Sequence, residues 1–554
     1  MDKNKKKNVL FLLIDGLRYD TLSKNKFCEY LFPNFSKLKK KSIFKSAFSN
    51  GVCTQMALPS IFSSTYPLDY DGYENGIRGR PKSISEVYKE YGYKTYLITN
   101  CSEIATSYDG YHRGFDEIQA APDYANLIEK KISLTIRPKF LKLSKSELNK
   151  DESLNYLKKE IRLLCESVIK SLNTNNYIWS KKLYKHNKKI VKSCIAELDL
   201  MEKNPLEIKN KIIEDVPRNY WNSFGYWKYL GKNKPNKYIF FFNKLFHISS
   251  FRLRQFIRKL NILPFKRNLN SITIRSTNII KEIHKILKST SQPVFIYSHL
   301  MDVHDNSEIG DLFYFFKKVF YFPKWLIAKI KGYTPRSFSY DSSLMILDEM
   351  LSDLFSDITK LNEKSDTLVF LSSDHGSAKA FTPKRKDGEK DYFLGMYEES
   401  LKIPMLIFNS NLENNKECKL IDSMGLATTL LESTNITPHS SFKGKSLYLG
   451  GKPTVISEHT GRGLPDVVMG ALYFVLTSKN EKLFVCIKEK ELILKYYDLI
   501  YDPFEEENLI EKNEYRDKIL HMLKYLVKER KEVIFQRLTK TKCEKFDFKI
   551  SDIA

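Results

Sequence analysis

The chain has no Cys-x-x-Cys pair, no apolar run long enough to cross a bilayer, and far fewer acidic than basic side chains. Each shortage excludes something. The eight cysteines (Cys28, Cys53, Cys101, Cys165, Cys194, Cys418, Cys486 and Cys543) are scattered over 554 residues and make no disulfide framework of the small secreted kind. They read as reduced thiols, mostly buried as small apolar residues. The N-terminal Met1-Asp2-Lys3-Asn4-Lys5-Lys6-Lys7 is basic and precedes an apolar run, as in a signal peptide. That run, residues 9–14, is too short, ends in Asp15 and lacks a small-residue cleavage site, so it reads as a first strand. With no membrane span either, the expectation is a cytoplasmic protein without signal peptide or transmembrane helix.

Against 66 acidic residues stand 91 Lys and Arg, a net charge of +25 at pH 7. Such a balance bears on partners and solubility, not on fold. It would attract nucleic acid, anionic lipid or anionic polysaccharide; it would also arise if lysine simply fills polar positions. Hydrophobic residues at 42% and charged ones at 28% describe a folded chain. The length allows roughly two to four domains.

The informative pieces are two apolar runs of strand length that stop at an acid. Val9 to Ile14 ends in Asp15-Gly16, and Val369-Phe370-Leu371-Ser372 runs into Ser373-Asp374-His375-Gly376. Runs of this kind suit buried strands of a parallel sheet covered on both faces. Ligands of such sheets sit outside the carboxyl ends of the strands, so Asp15, Asp374 and His375 are expected at one edge. Two carboxylates and an imidazole suit a divalent metal. Thr54, in a turn before a helix, adds a hydroxyl to that set, and Gly376 permits a tight turn under the metal.

Several further motifs share one resemblance. They are Gly92-Tyr93-Lys94-Thr95, Arg113-Gly114-Phe115-Asp116-Glu117, His299-Leu300-Met301-Asp302-Val303-His304, Tyr397-Glu398-Glu399-Ser400-Leu401-Lys402-Ile403-Pro404, Gly444-Lys445-Ser446-Leu447, and Tyr497-Asp498-Leu499 with Asp502-Pro503. In this order they resemble the sulfatase branch of the alkaline-phosphatase superfamily, over 8–120 and 293–515. The resemblance implies an α/β fold: an alkaline-phosphatase-like central, mostly parallel sheet with helices on both faces, a helical basic insertion and a small C-terminal antiparallel sheet subdomain.

The expected division is a catalytic α/β domain over 1–127 and 291–450, a basic, aromatic-rich, mainly helical insertion over 128–290, and a C-terminal sheet with a terminal helix over 451–554. Within it the patterns predict a helix over 84–91 and strands over 95–99, 293–299, 368–372 and 403–408. Alternating strands follow over 466–477, 482–487 and 492–497, then a helix over 516–533. Residues 221–267 and 313–331 interleave aromatics with Lys and Arg. Three readings stand for them: helices packed on the catalytic domain with snorkelling lysines, contact with an anionic membrane surface at its inner face, or cover for a sugar or a partner.

The resemblance also implies roles. Counted back from Ser64-Thr65-Tyr66-Pro67, Thr54 occupies the place of the sulfatase catalytic cysteine or serine, with Cys53 next door as a rival. Metal binding would activate its hydroxyl as nucleophile. Asp15, Thr54, Asp374 and His375 form the expected metal set. Histidine beside Asp374 favours manganese or zinc, with calcium or magnesium as alternatives, because imidazole is a borderline-soft ligand. His304 is expected to touch the transferred group or protonate the leaving oxygen. His299 is a further substrate contact, as are His459 and Arg462 on a polar glycine loop after a C-terminal strand.

The departures from the family select the chemistry. The formylglycine signature is absent: the segment reads Thr54-Gln55-Met56-Ala57-Leu58, with Leu58 where an activating Arg would stand. Gly16 replaces a second acid, and Asn100-Cys101-Ser102 replaces the family's Lys-x-His pair. The set instead resembles lipoteichoic-acid synthase and the phosphoethanolamine transferases. The expectation is therefore a metal-dependent hydrolase or transferase cleaving phosphoesters through Thr54. The substrate class is a phosphorylated or sulfated glycan or lipid, and nucleic acid is not expected. The alternatives are a sulfuric ester hydrolase and a catalytically silent polyanion-binding protein.

Overall fold

The computed structural model describes residues 6–23, 25–143, 150–172, 181–207, 276–304, 312–333, 337–361, 367–377, 395–410, 419–460, 471–488 and 491–535, with a few isolated positions besides. Its main sheet is built from β1 (Asn8–Ile14), β2 (Ser42–Phe48), β3 (Lys94–Thr99), β4 (Glu117–Ala120), β5 (Val294–Leu300), β6 (Thr367–Ser372) and β7 (Lys402–Phe408). The order is β2-β7-β6-β1-β5-β3-β4. β6, β1, β5, β3 and β4 run parallel, while β7 lies antiparallel to β6 and β2 antiparallel to β7.

The register explains why β1 is apolar throughout. Leu10, Leu12 and Ile14 enter the core on one face of the sheet, and Val9, Phe11 and Leu13 the core on the other. A strand with both faces covered has no solvent side on which to place polar residues. Leu13 pairs with His299 on β5 and with Ser372 on β6, so three strand ends finish side by side.

The described helices that matter for the site and surface are α1 (Thr54–Ser63), α2 (Tyr124–Lys131), α3 (Lys150–Leu172), α4 (Lys181–Lys203), α5 (Leu312–Ile330), α6 (Phe338–Met350), α7 (Ser423–Ser433) and α8 (Arg516–Phe535). α3 and α4 share a core of Leu157, Leu164, Val168, Leu183 and Val191 with Tyr108 and Tyr124. The Arg78–Glu160 pair at 3.0 Å ties α3 to the loop after Tyr73. The aromatic stretch 221–267 lies outside the described residues apart from isolated positions.

A separate antiparallel sheet holds β8 (Val455–His459), β9 (Leu472–Thr477), β10 (Glu481–Lys488) and β11 (Glu491–Asp498) in the order β11-β10-β9-β8. α8 packs on it through Ile519, Met522, Leu523, Leu526 and Val527. The described cysteines, Cys28, Cys53, Cys101, Cys165, Cys194 and Cys486, are free thiols, and all but Cys53 are buried. Among the described residues no helix is long and apolar enough to cross a membrane.

Candidate active site

The ends of β1, β5 and β6 converge on one group of side chains. Asp15, His299 and Asp374 are fully buried, and their ligand atoms lie within 4.8 Å of one another. His299 Nε2 is 3.5 Å from Asp15 Oδ2 and 3.8 Å from Asp374 Oδ2. His375 completes the group, its Nε2 at 3.5 Å from Asp15 Oδ1 and 3.4 Å from Asp374 Oδ2.

Local bonds hold these ends in place. Asp15 N–H donates to Leu300 O at 3.0 Å. Ser373 Oγ donates to Ile14 O at 2.7 Å and accepts from Leu17 N at 3.0 Å, which stitches the β6 end to the β1 end. Ser49 Oγ donates to Asp374 O at 2.6 Å. Gly16 adopts φ +73°, a conformation that suits glycine. Gly376 is needed for room and not for a left-handed turn: a Cβ there would meet Glu399 O at 2.2 Å. Its N–H donates to Ser400 O at 2.7 Å, which accounts for the fixed neighbourhood of Glu399-Ser400.

Thr54 enters from α1, where it is the first helical residue after the extended Cys53. Its Oγ1 donates to Asp15 Oδ2 at 2.9 Å and lies 3.5 Å from His375 Nε2. The first N–H groups of a helix lack intrahelical acceptors, so α1 directs partial positive charge at whatever anion approaches Thr54. Leu58, four residues on, is fully buried in the core. Cys53 is half-buried beside Thr54.

The electrostatics call for a cation. Asp15 Oδ1, Asp374 Oδ2 and His299 Nε2 are buried without a hydrogen-bond partner. Two buried carboxylates this close repel, and orphaned buried acceptors are costly. Burial alone would raise the Asp15 pKa, but His304, His299 and His375 together hold it well below the usual carboxylate range. The same carboxylates pull the His299 pKa above its ordinary value against burial. His375 Nδ1 lies 2.6 Å from Gly376 O, which can only accept, so Nδ1 carries a proton and Nε2 is the nitrogen that faces both carboxylates. Three acceptor groups aimed at one point fit a divalent metal ion.

His304 stands at the rim, partly exposed, its ring centroid 6.4 Å from that of His375. Two positions differ in placement from the sequence reading. His299 lies inside the carboxylate cluster and not at its edge. His459 is the last residue of β8, fully buried and stacked on Tyr473 at 4.9 Å, and not on an exposed glycine loop. Arg462 lies outside the described residues. β8 still reaches the site's support: Asn50 Nδ2 donates to Ile456 O at 2.7 Å, and Ser457 Oγ to Ser49 O at 2.5 Å.

At the place of the Lys-x-His pair, Asn100 Oδ1 accepts from Met301 N at 3.1 Å, and Cys101 Sγ donates to Glu103 Oε2 at 3.5 Å. Glu103 in turn binds Lys130 of α2 at 2.7 Å. This pair left no sequence signal, because its partners come from a loop and from a helix in a stretch with no motif.

The chain is similar to known proteins in sequence and fold. The family profile described as Sulfatase matches residues 7–186 and 214–436. An arylsulfatase of Clostridium perfringens is 25% identical over 205 residues, covering 34% of this chain and 39% of that one, so the match spans about two fifths of that relative. The phosphonate monoester hydrolase of Agrobacterium radiobacter superposes with a TM-score of 0.51 at 12% identity, covering 95% of this chain and 96% of that one. A candidate sulfatase, yidJ, from Bacteroides fragilis gives 0.51 at 13% identity, covering 96% and 97%. These two similarities concern the fold.

Proposed function

Because the chain belongs to the sulfatase family, we propose that it is a metal-dependent hydrolase or transferase acting on phosphoesters through Thr54. The observation that carries this reading is the Thr54 hydroxyl, hydrogen-bonded to Asp15 at 2.9 Å inside the carboxylate–imidazole cluster. A threonine cannot become formylglycine, so the hydroxyl itself must attack. Asp15, Asp374 and His375 would hold the metal with Thr54, and His299 adds a further nitrogen. The bound ion would supply positive charge that lowers the hydroxyl pKa and offsets charge growing on the transferred group.

Thr54 Oγ1 then forms a bond to phosphorus while the bond to the leaving oxygen breaks. Its proton passes to water, while Asp15 Oδ2, held well below the usual carboxylate range, orients the hydroxyl without keeping the proton. His304, at the rim, donates a proton to the departing alkoxide. Neutral His304 next takes a proton from water or an acceptor hydroxyl, whose oxygen displaces Thr54 from phosphorus. Thr54 regains its proton from water as it leaves phosphorus. The N-terminus of α1 stabilises the non-bridging oxygens throughout.

A phosphorylated or sulfated glycan or lipid is the substrate class we favour. The second reading, sulfuric ester hydrolysis by the same groups, draws on the likeness to the clostridial arylsulfatase. Parallel hydrolysis of p-nitrophenyl phosphate, bis-p-nitrophenyl phosphate and p-nitrophenyl sulfate decides between them, run after chelation and readdition of Mn²⁺, Zn²⁺ or Ca²⁺. Metal-dependent diester cleavage supports phospho-transfer. Sulfate release with no phosphoester cleavage overturns it in favour of the second reading.

A further inference from the structure

Helix α5 carries two apolar stripes on opposite faces. Tyr314, Trp325 and Ala328 are buried on the body of the protein, with Tyr321 and Phe322 packed beside them. At about 100° per residue, Phe316, Val319, Phe320, Ile327 and Ile330 fall on the other side. Those residues are exposed, Phe320 by 73% and Ile330 by 77%. A contiguous exposed apolar face of this kind marks an interaction site.

The face is not a loosely held edge. Tyr314 OH donates to the buried Asp302, which lies between His299 and His304. Trp325 Nε1 donates to Asp341 Oδ2 on α6 at 2.9 Å. The helix is thus anchored on one side, close in sequence to the rim of the active site, and presents hydrophobic side chains on the other.

Charge says what covers it. α5 contains Lys317, Lys318, Lys324 and Lys329 and no acidic residue. Lys317, Lys324 and Lys331 recur every seven residues and so line one border of the exposed stripe. Lys324 and Lys331 flank the ring of Tyr30, at 5.4 and 5.9 Å from its centroid, and Tyr30 is itself exposed. Lys317 also pairs with Glu349 at 2.6 Å. A second copy of the chain would bring the same lysines and a net charge of +25 against them. An anionic bilayer brings both complements: acyl chains for the apolar stripe and phosphates for the lysine row.

We propose that α5 is an interfacial helix that docks on the surface of a bilayer containing anionic phospholipid. Phe316, Phe320, Ile327 and Ile330 enter the headgroup layer, and Lys324 and Lys331 lie against lipid phosphates. This goes beyond the ester chemistry and does not depend on it.

The test is co-sedimentation of the full chain with vesicles of phosphatidylcholine alone or mixed with phosphatidylglycerol, at low and high salt. Wild type should partition onto the mixed vesicles at least about tenfold more strongly than onto neutral ones, and less strongly as salt rises. Phe320→Ser with Ile327→Ser, and separately Lys324→Glu with Lys331→Glu, should each weaken that binding about tenfold or more. Circular dichroism should be unchanged in both, since these side chains are not in the core. Wild type left in the supernatant with anionic vesicles would overturn the proposal. So would binding that both double variants retain, or self-association in lipid-free solution that the serine pair abolishes. Vesicle binding by a chain that cleaves no ester supports the docking and counts only against the ester reading.

Discussion

Thr54 Oγ1 donates a 2.9 Å hydrogen bond to Asp15 Oδ2, a residue 39 positions earlier in the chain. The contact exists because α1 starts at Thr54 while β1 stops just before Asp15, and both ends meet at the carboxyl edge of the sheet. If this hydroxyl is the nucleophile, Thr54→Ala should lower kcat/KM by on the order of 10³-fold or more. Thr54→Ser should retain activity within about tenfold. Mass spectrometry of quenched reactions should find a phosphorylated peptide containing residue 54 in wild type. An alanine variant of undiminished rate would remove Thr54 from the mechanism.

Loading the carboxylate cluster with metal should stabilise the fold. Asp15 Oδ1 and Asp374 Oδ2 are buried acceptors with no donor, so an ion that binds only the folded state relieves their repulsion. At a hundredfold excess over Kd the gain is about 2.7 kcal/mol. For a chain of this size we expect a rise in Tm of about 2–4 °C over the chelated protein. Asp374→Asn should abolish that metal-dependent rise. A wild-type melting curve indifferent to Mn²⁺, Zn²⁺ and Ca²⁺ would argue that protonated His299 alone neutralises the pair.

Part of this site was legible because its carriers obey local rules. A strand buried on both faces must be apolar, and the first polar residue beyond it marks the sheet edge, so Asp15 and Asp374 announce themselves. His299 does not, because it sits within β5, where a histidine is as readily a packed core residue as a ligand. Only the register of β5 on β1, with His299 opposite Leu13, places it among the carboxylates. Gly376 was legible as a required glycine but for another reason, since the constraint comes from Glu399 O, distant in sequence. His459 followed the opposite course. A glycine-rich sequence next to it suggests a loop, while pairing with Tyr473 on β9 keeps it in the sheet.

Glu103 should make stability pH-dependent in the acid range. Burial opposes its ionisation, but Lys130 at 2.7 Å, assisted by Lys131, outweighs that and pulls the pKa down to about 2 from an ordinary 4.5. A folded-state pKa below the unfolded one contributes stability that is present above about pH 4.5 and lost as pH falls through about 2. Glu103→Gln should therefore cost about 1–3 kcal/mol near neutrality. The gap between wild type and variant in urea midpoint should close as pH is lowered from 4.5 toward 2. A gap that stays constant over that range would show that the ion pair is not its source.

Lys482 offers a sharper test of how the C-terminal sheet is fastened. Its side chain is fully buried on β10, 2.9 Å from Glu398 Oε2 and in contact with Glu505 Oε1. Glu398 opens the short helix Glu398–Leu401, whose Glu399 and Ser400 carbonyls accept from Ser377 and Gly376 beside the active site. Burial disfavours charge on all three groups. At Glu398 it is outweighed by Lys482 and Lys402, which draw the carboxyl down to about 2; at Glu505 burial wins and the pKa lies above normal. Lys482 is the cation both carboxylates depend on, and its own pKa is held above the ordinary lysine value. Removing it leaves Glu398 with Lys402 and takes from the buried Glu505 its lysine partner. Lys482→Met should thus destabilise by about 3–5 kcal/mol, the range for breaking a buried pair from one side. Adding Glu505→Gln should recover part of the loss, because a neutral amide no longer demands a counter-ion. Urea denaturation followed by tryptophan fluorescence reads both effects. If the single variant lies within about 1 kcal/mol of wild type, the size of a surface pair, the triad does not fasten the sheet.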